Sequence, residues 1–254
     1  MTGCVEVWYP LGTSFVNLIS GEVMANTNSP ILAESPGGDG VKFTAGSSTI
    51  AKATNALING YPNVAIGAFF TPTAFPGNSR YFAFGNSASN SPLLDINDQT
   101  SGAVAISARN DAATTLLQPT SPNSTMKVGV PVVVSGDAVF ATSGTAKLYV
   151  NGRYLGSNSG DINVPVTFNR TALGGLSRTS DGLFTSAIIH VAVAWNRNLS
   201  PDEHLLFGQD PCGFLIYPED DIFAEFVGIG AAPTFNPAWA MNKMSVLGGG
   251  YPNV

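Results

Sequence analysis

From Val41 onward, the chain consists of short apolar runs separated by clusters of Gly, Asn, Ser and Pro. Runs of this length, rich in β-branched and aromatic residues, are typical of the strands of an all-β sandwich or barrel. The runs that we interpret as strands are Val64–Thr71, Arg80–Gly85, Leu93–Ile96, Ala103–Ala108, Val128–Ser135, Ala146–Val150, Val166–Asn169 and Ser186–Trp195.

Two short segments carry local structure signals. In LYVNGRYL, the dipeptide Asn151-Gly152 separates two apolar pairs, and it favours a type I′ turn because both of its residues tolerate positive φ. In LSPDEHLLF, Ser200 and Glu203 form a capping box around Pro201, which is favoured at the first helical position. The sequence therefore predicts a β-hairpin at 148–155 and a short helix that ends near Gly208.

The composition excludes several classes of protein. The apolar fraction of 44% is enough for a core, whereas only 11% of the 254 residues are charged, against about 25% in an average domain. A net charge of −6 with 11 Lys and Arg leaves no basic surface for nucleic acid or an anionic membrane. The start MTGCVEVWYP lacks the pattern of a signal sequence, so we expect synthesis in a cytosol. No CxxC or HxxxH motif predicts a transition-metal site.

The distribution of charged residues and of Pro and Gly divides the chain into three parts. No Lys or Arg precedes Lys42, and Pro30, Pro36 and a run of glycines interrupt the first stretch, which predicts an N-terminal arm with a first strand at 1–40. The strand-forming runs occupy 41–217. The remainder, 218–254, is apolar and rich in Gly and Trp, with Lys243 as the only charged residue after Glu225.

Three segments in order resemble one family, the concanavalin A-like (laminin-G-like) jelly-roll domains. They are GVKFTAGSSTI, then VGVPVVVSGDAVFATSGTAKLYVNGRYLG, then LGGLSRTSDGLFTSAIIHVAVAWNRNLSPDEHLLF. The resemblance implies an all-β antiparallel jelly-roll sandwich with one short helix and extended N- and C-terminal arms. Members include lectins, glycanases, adhesion modules and structural proteins of tailed bacteriophages, so the resemblance implies a fold and leaves the function open.

Two further segments resemble phage-encoded members of this family. They are GQDPCGFLIYPEDDIF and the final FNPAWAMNKMSVLGGGYPNV. This resemblance implies a virion protein of a bacteriophage, made in the bacterial host cytoplasm. The leading hypothesis is a non-enzymatic capsid decoration or cement protein that forms a homo-oligomer and contacts the major capsid protein or other virion proteins. The alternatives are a tail-associated lectin-like module that binds a receptor or glycan and, more weakly, a glycanase.

Attachment would depend on apolar side chains in the two arms, because aromatic residues and Met are enriched in interface cores. The residues expected at an interface are Trp8, Tyr9, Phe15, Phe226, Phe235, Trp239, Met241 and Met244. The C-terminal arm has a second interpretation, in which it packs on its own sandwich. For the lectin alternative, an exposed aromatic side chain would stack on a sugar, and Trp8, Tyr61, Tyr154 and Tyr251 are the candidates.

No catalytic residue and no cofactor are predicted. A retaining glycanase needs two carboxylates about 5–5.5 Å apart, and the Glu-x-Asp-x-x-Glu pattern of jelly-roll glucanases is absent. His190 is expected to be a partly buried or cross-strand polar residue and His204 to be a surface side chain. Asp95, Asn97 and Asp98 are weak candidates for a Ca²⁺ site because their oxygens recur at short spacing, and the alternative is an Asx-rich turn.

Overall fold

The computed structural model describes residues 3–213 and consists of antiparallel strands with one short α-helix, which confirms the predicted fold class. The strands are β1 (Cys4–Leu11), β2 (Ser14–Asn17), β3 (Ala25–Thr27), β4 (Ile31–Ser35), β5 (Gly38–Phe43), β6 (Ile50–Ala53), β7 (Asn63–Pro72), β8 (Arg80–Asn86), β9 (Ser89–Asp98), β10 (Val104–Arg109), β11 (Val132–Val139), β12 (Gly144–Val150), β13 (Arg153–Gly160), β14 (Arg170–Leu173), β15 (Leu176–Ser177), β16 (Asp181–Gly182) and β17 (Ala187–Trp195), and the helix is α1 (Pro201–Gln209). Short 3₁₀ turns occur at Ala45–Ser47 and Thr100–Gly102.

Two large sheets form the sandwich. The nine-stranded sheet has the order β13-β12-β11-β7-β17-β1-β2, and the hairpin of β4 and β5 joins it through β17. The six-stranded sheet has the order β10-β9-β8-β14-β6-β3. The hairpin of β15 and β16 forms a separate two-stranded ribbon beside β8. Strands that are adjacent in a sheet are often distant in sequence, as expected for a jelly roll.

Aromatic and aliphatic side chains from both inner faces fill the space between the sheets. Phe70 of the nine-stranded sheet stacks on Tyr81 of the six-stranded sheet with ring centroids 3.9 Å apart. Both rings are fully buried, as are Phe82 and Phe84. The long apolar runs of the sequence are therefore explained by burial of strands, since this chain has few charges to place on strand faces.

The N-terminal segment differs from the predicted arm. Residues 4–17 form β1 and β2, and β1 lies inside the nine-stranded sheet between β17 and β2. Trp8 and Phe15, which were expected at an interface, are fully buried in the core of the chain's own sandwich. The physical reason is that β17 is apolar on both faces and needs hydrogen-bonded partners along both edges. Strand β7 pairs with one edge of β17, and β1 and β5 together pair with the other edge.

One predicted strand begins later than expected, and another is absent. Regular pairing of β11 begins at Val132, directly after Pro131, which has no N–H to donate to a neighbouring strand. The segment Val166–Asn169 is not a strand, since side chains take its backbone donors: Val166 N–H donates to Asp111 Oδ2 at 2.9 Å and Phe168 N–H to Asn59 Oδ1 at 2.9 Å.

The hairpin and the helix are confirmed. Asn151 and Gly152 have φ values of 48° and 76° in the turn between β12 and β13. Ser200 caps α1, its side chain accepting a hydrogen bond from Glu203 N–H, and the Glu203 side chain accepts one from Ser200 N–H at 2.8 Å. The helix packs on the outer face of the nine-stranded sheet, where Phe207 contacts Trp195 edge to face at 5.6 Å. The outer face of the six-stranded sheet carries no α-helix among residues 3–213.

Candidate functional site

The outer face of the six-stranded sheet combines small side chains with cationic ones. Alternate residues of a strand point to opposite faces, and Leu94 and Ile96 of β9 belong to the core. Asp95 therefore points outward, as do the residues paired with it, Ser107 of β10 and Ala83 of β8. The same level of the sheet continues through β14 and β6 with Ala172, Lys52 and finally Ala25 of β3.

The ribbon of β15 and β16 lies against this face. A Cβ atom on Gly85 would lie 2.9 Å from Ser177 O and 3.6 Å from Arg178 Cγ, so the absence of a side chain at Gly85 admits the ribbon. Leu176 packs with Ala83 and Leu93 on the outer side of the sheet. At the other end of the ribbon, Lys52 Nζ and Asp181 Oδ2 form an ion pair at 2.5 Å.

A cleft of about 390 Å³ remains between the ribbon and strands β3, β6 and β14. This volume lies within the range of small-molecule sites, about 300–1,000 Å³. We call it the Arg178 cleft. Its lining is formed by hydroxyl-bearing, cationic and small side chains and one carboxylate: Ala25, Lys52, Ala53, Thr54, Ser87, Arg170, Ser177, Arg178, Thr179, Ser180 and Asp181. Thr54, Thr179 and Ser180 are exposed, so the cleft is accessible from solvent.

The cationic side chains of this face differ in whether a carboxylate neutralises their charge. Arg80 and Lys52 each have a carboxylate partner, whereas Arg109, Arg170 and Arg178 have none within ion-pair distance among residues 3–213. Arg170 Nη1 donates to the carbonyl of Asn169 at 3.0 Å. Burial, followed by the positive charges of Arg80 and Arg109, lowers the pKa of Arg178, which places this guanidinium in a cationic surrounding.

A buried polar network forms the base of this cationic surface. Arg80 Nε donates to Asp95 Oδ2 at 2.7 Å, and Asn97 Nδ2 donates to Asp95 Oδ1 at 2.5 Å and to Ser107 Oγ at 2.7 Å. Gln118 Nε2 donates to the same hydroxyl at 2.9 Å. These bonds hold the Arg80 guanidinium in one orientation, since Arg80 is 5% exposed and Asp95 fully buried.

The Ca²⁺ candidates occupy a strand and not a loop. Asp95, Asn97 and Asp98 lie on β9 and are fully buried. The oxygens of Asp95 accept from Arg80 and Asn97, and Asp98 accepts the backbone N–H of Gly77 at 3.0 Å and of Ser79 at 2.5 Å. Protein donors therefore already contact these carboxylate oxygens, and the three residues lie in a strand and not in an Asx-rich turn.

A Ser–His–Asp arrangement lies beneath α1. Ser135 Oγ is 2.9 Å from His204 Nδ1, and His204 Nε2 is 3.2 Å from Asp137 Oδ2. All three side chains are buried, and the His204 ring stacks on Tyr149 with centroids 3.7 Å apart. The expected surface position of His204 is therefore wrong. Since Asp137 Oδ1 also accepts Leu199 N–H at 3.1 Å, the group holds the helix to the sheet and leaves the hydroxyl without access to a substrate.

His190 is confirmed as a buried cross-strand residue. Its Nε2 lies 3.0 Å from Thr71 Oγ1 and 3.2 Å from Ser35 Oγ, and its Nδ1 lies 3.0 Å from the carbonyl of Asp39. The ring packs against Phe69 at 4.6 Å. These contacts join the hairpin of β4 and β5 to β17.

Two of the glutamates have structural partners or positions within the fold. Arg197 binds Glu203 through both guanidinium nitrogens, at 2.9 Å and 2.5 Å, and this contact is the main reason that the pKa of Glu203 falls from 4.5 to about 2. Glu6 is fully buried between the sheets. Burial also raises the pKa of the Cys4 thiol to about 12, so this thiol stays protonated near neutral pH.

The aromatic candidates are scattered. Tyr61 and Tyr154 are 38% and 50% exposed, and neither lines the Arg178 cleft. Tyr9 is partly buried beside the cluster under α1, and Trp8 is inside the core. The remaining predicted contact residues lie outside the described residues: Phe226, Phe235, Trp239, Met241, Met244 and Tyr251.

Sequence reasoning missed the arginines of the outer face. A signal was nevertheless present, because Arg80 opens one predicted strand, and Arg109 and Arg170 directly follow two others. Of the 11 Lys and Arg in the chain, five lie on this one face or its ribbon, namely Lys52, Arg80, Arg109, Arg170 and Arg178. Pairing of strands that are distant in the sequence brings these side chains onto one face, which the linear sequence does not display.

Comparison with known protein families identifies the fold. Residues 37–203 match the model of the Concanavalin A-like lectin/glucanases superfamily. No curated protein sequence matches the chain. Among residues 3–213, no helix has the length and apolar character needed to cross a membrane.

Solved structures with a similar fold include sialidases and a part of a sialidase. Trypanosoma rangeli sialidase, in complex with a difluoro-KDN, aligns over 84% of this chain and 33% of its own with 17% identity and a TM-score of 0.62. NanB sialidase from Streptococcus pneumoniae aligns over 65% and 26% with 16% identity and a TM-score of 0.54. The CBM40 of the Ruminococcus gnavus IT-sialidase, bound to alpha2,3 sialyllactose, aligns over 72% and 98% with 14% identity and a TM-score of 0.53.

These likenesses concern the fold. The chain spans about a quarter to a third of the sialidase chains that it matches, and nearly all of the CBM40. The capsid-decoration role predicted from the sequence depended on two apolar arms, and the N-terminal one is part of the sandwich. Neither the family match nor these structural neighbours support that role.

Proposed function

The chain belongs to the Concanavalin A-like lectin/glucanases superfamily, and on that premise we propose that it is a non-catalytic glycan-binding module whose ligand occupies the Arg178 cleft. The observation that carries the proposal is the lining of the cleft. Thr54, Ser87, Thr179 and Ser180, which carry hydroxyl groups, and Arg170 all line it. A sugar presents hydroxyl groups that both donate and accept, and this lining offers partners of both kinds.

The position of the cleft agrees with this role. The opposite face of the sandwich is occupied by α1, whereas the outer face of the six-stranded sheet is reached from solvent beside the ribbon of β15 and β16. The CBM40 that shares the fold is itself a sugar-bound module, which supports carbohydrate as the ligand class. The absence of catalysis is part of the proposal because Glu203 is bound by Arg197 and the Ser135 hydroxyl is buried beneath the helix.

A glycan array tests the proposal when the full chain is compared with a variant whose cleft is filled. Thr54→Trp places a large ring at the exposed margin of the cleft, and Ser159→Trp places the same ring on exposed β13 of the other sheet. We expect Thr54→Trp to abolish the signals of the wild-type protein and Ser159→Trp to keep them. Signals that survive Thr54→Trp would move the binding site elsewhere, and a wild-type chain without any sugar-dependent signal would overturn the function.

A further inference from the structure

We propose that the ligand of the Arg178 cleft is an acidic glycan and that Arg178, with Arg170, binds the carboxylate of an acidic sugar unit. This inference rests on the proposed function and adds the chemical class of the ligand. Arg170 and Arg178 both line the cleft, and neither has a carboxylate partner among residues 3–213.

Arg178 is the central group. Its side chain makes no hydrogen bond with another of the described residues, although the residue is partly buried. The guanidinium carries five N–H donors in a planar fork, which matches the two oxygens of a carboxylate. A cation that is partly removed from water and lacks an anion is destabilised, and a bound carboxylate would relieve that cost.

The neighbouring cations strengthen the preference for an anion. Arg80 and Arg109 are close enough to Arg178 to lower its pKa, and the network with Asp95 and Asn97 fixes Arg80 in place. Asp95 supplies one negative charge to this group, and Arg80 already uses it in an ion pair of 2.7 Å. Arg109 Nε is buried and has no hydrogen-bond partner. The surface is therefore cationic in a protein whose net charge is −6.

The other carboxylate of the cleft does not cancel this charge. Asp181 is bound to Lys52, and the two together hold the ribbon to the sheet. Arg170 uses one nitrogen on backbone carbonyls, those of Asn169 and Thr54, so its other N–H donors point to no acceptor among the described residues. Two guanidinium groups on the wall of one cleft can each contribute a charge-assisted bond, while the surrounding hydroxyls bind the rest of the sugar.

The test uses matched ligands on the full chain: lactose, 3′-sialyllactose, 3′-sulfolactose and trigalacturonate, measured by isothermal titration calorimetry. We expect 3′-sialyllactose or trigalacturonate to bind at least tenfold more tightly than lactose. Arg178→Gln is expected to weaken that binding at least tenfold, since a hydrogen bond to a charged group is worth roughly 1.5–3 kcal/mol. Arg153→Gln, on exposed β13, removes the same charge far from the cleft and is expected to leave the affinity unchanged.

Each other outcome has a distinct meaning. Equal binding of lactose and the carboxylated sugars, unaffected by Arg178→Gln, would overturn the acidic ligand and leave glycan binding in place. Binding of 3′-sulfolactose without binding of either carboxylated sugar would overturn the assignment of a carboxylate. No binding of any sugar, here and on the array, would overturn both proposals. Thermal unfolding of Arg178→Gln controls for folding, and we expect no loss of stability because the side chain makes no hydrogen bond.

Discussion

Glu6 of β1 lies fully buried between the two sheets, where three donors surround its carboxyl group. Trp8 Nε1 donates to Oε2 at 2.6 Å, and Leu57 N–H and Thr171 Oγ1 donate to Oε1 at 2.7 Å and 3.4 Å. Burial outweighs these bonds and raises the pKa of Glu6 from 4.5 to about 7. The stability of the sandwich should therefore depend on pH through this one carboxyl group.

The direction follows from proton binding. Between pH 4.5 and about 7, the folded chain keeps the proton on Glu6 and the unfolded chain has released it. Since the folded state binds more protons, the free energy of unfolding falls as pH rises through this window. One pKa unit corresponds to about 1.36 kcal/mol, so the contribution lost by pH values above 7 is about 3 kcal/mol.

Urea unfolding of the wild-type chain and of Glu6→Gln across this pH range measures the effect. Both proteins share every other titrating group, so the difference between their free energies of unfolding isolates Glu6. We expect the wild-type protein to lose about 3 kcal/mol relative to the variant on going from below pH 4.5 to above pH 7. Glu34→Gln, at an exposed position of β4, controls for the loss of one carboxylate. A difference between wild type and Glu6→Gln that stays constant with pH would refute the reasoning.

Three further predictions concern α1 and its contacts, each measured by urea unfolding. Ser200→Ala removes the cap of α1 and should lower the free energy of unfolding by about 1 kcal/mol. An unchanged free energy of unfolding would mean that the cap does not stabilise the protein. Gly208→Ala should cost about 1–3 kcal/mol, because its Cβ would overlap the backbone of the turn between β12 and β13. Gly156→Ala, which meets no atom within 4 Å, is its control, and equal costs would contradict the close approach. Asp137→Leu should cost about 1–3 kcal/mol by leaving buried donors near His204 without an acceptor, and a neutral result would contradict the anchoring role of that group.

Local signals in the sequence predicted local structure well. The turn at Asn151-Gly152 and the capped start of α1 depend on residues that are neighbours in the chain, and both are confirmed. Most of the predicted strands are also present, because an apolar run between turn residues has few other stable conformations in a chain of this composition. The order of the three resembling segments indicated the jelly roll, and residues 37–203 match that family.

Misplaced residues had partners that are distant in sequence. His204 was expected at the surface because it lies in the first turn of a short helix, yet Ser135 and Asp137 lie beneath it in the sheet. Trp8 was expected on an arm because nothing local indicates that β17 offers an open edge for β1. Their contacts span 69, 67 and 184 positions of the chain, so no local pattern contains them.

The sequence alone determined several of the strands, the turn of one hairpin and the start of the helix, since these choices depend on φ preferences, capping and apolar periodicity within a few residues. Only the tertiary structure decided which polar groups meet. The fold pairs Arg80 with Asp95 and brings Arg178 near them, with Arg170 on the wall of the same cleft. Of these three cations, Arg170 and Arg178 have no carboxylate partner among residues 3–213. The physical reason is that charge compensation depends on distance in space, and the pairing of strands from distant parts of the chain sets that distance.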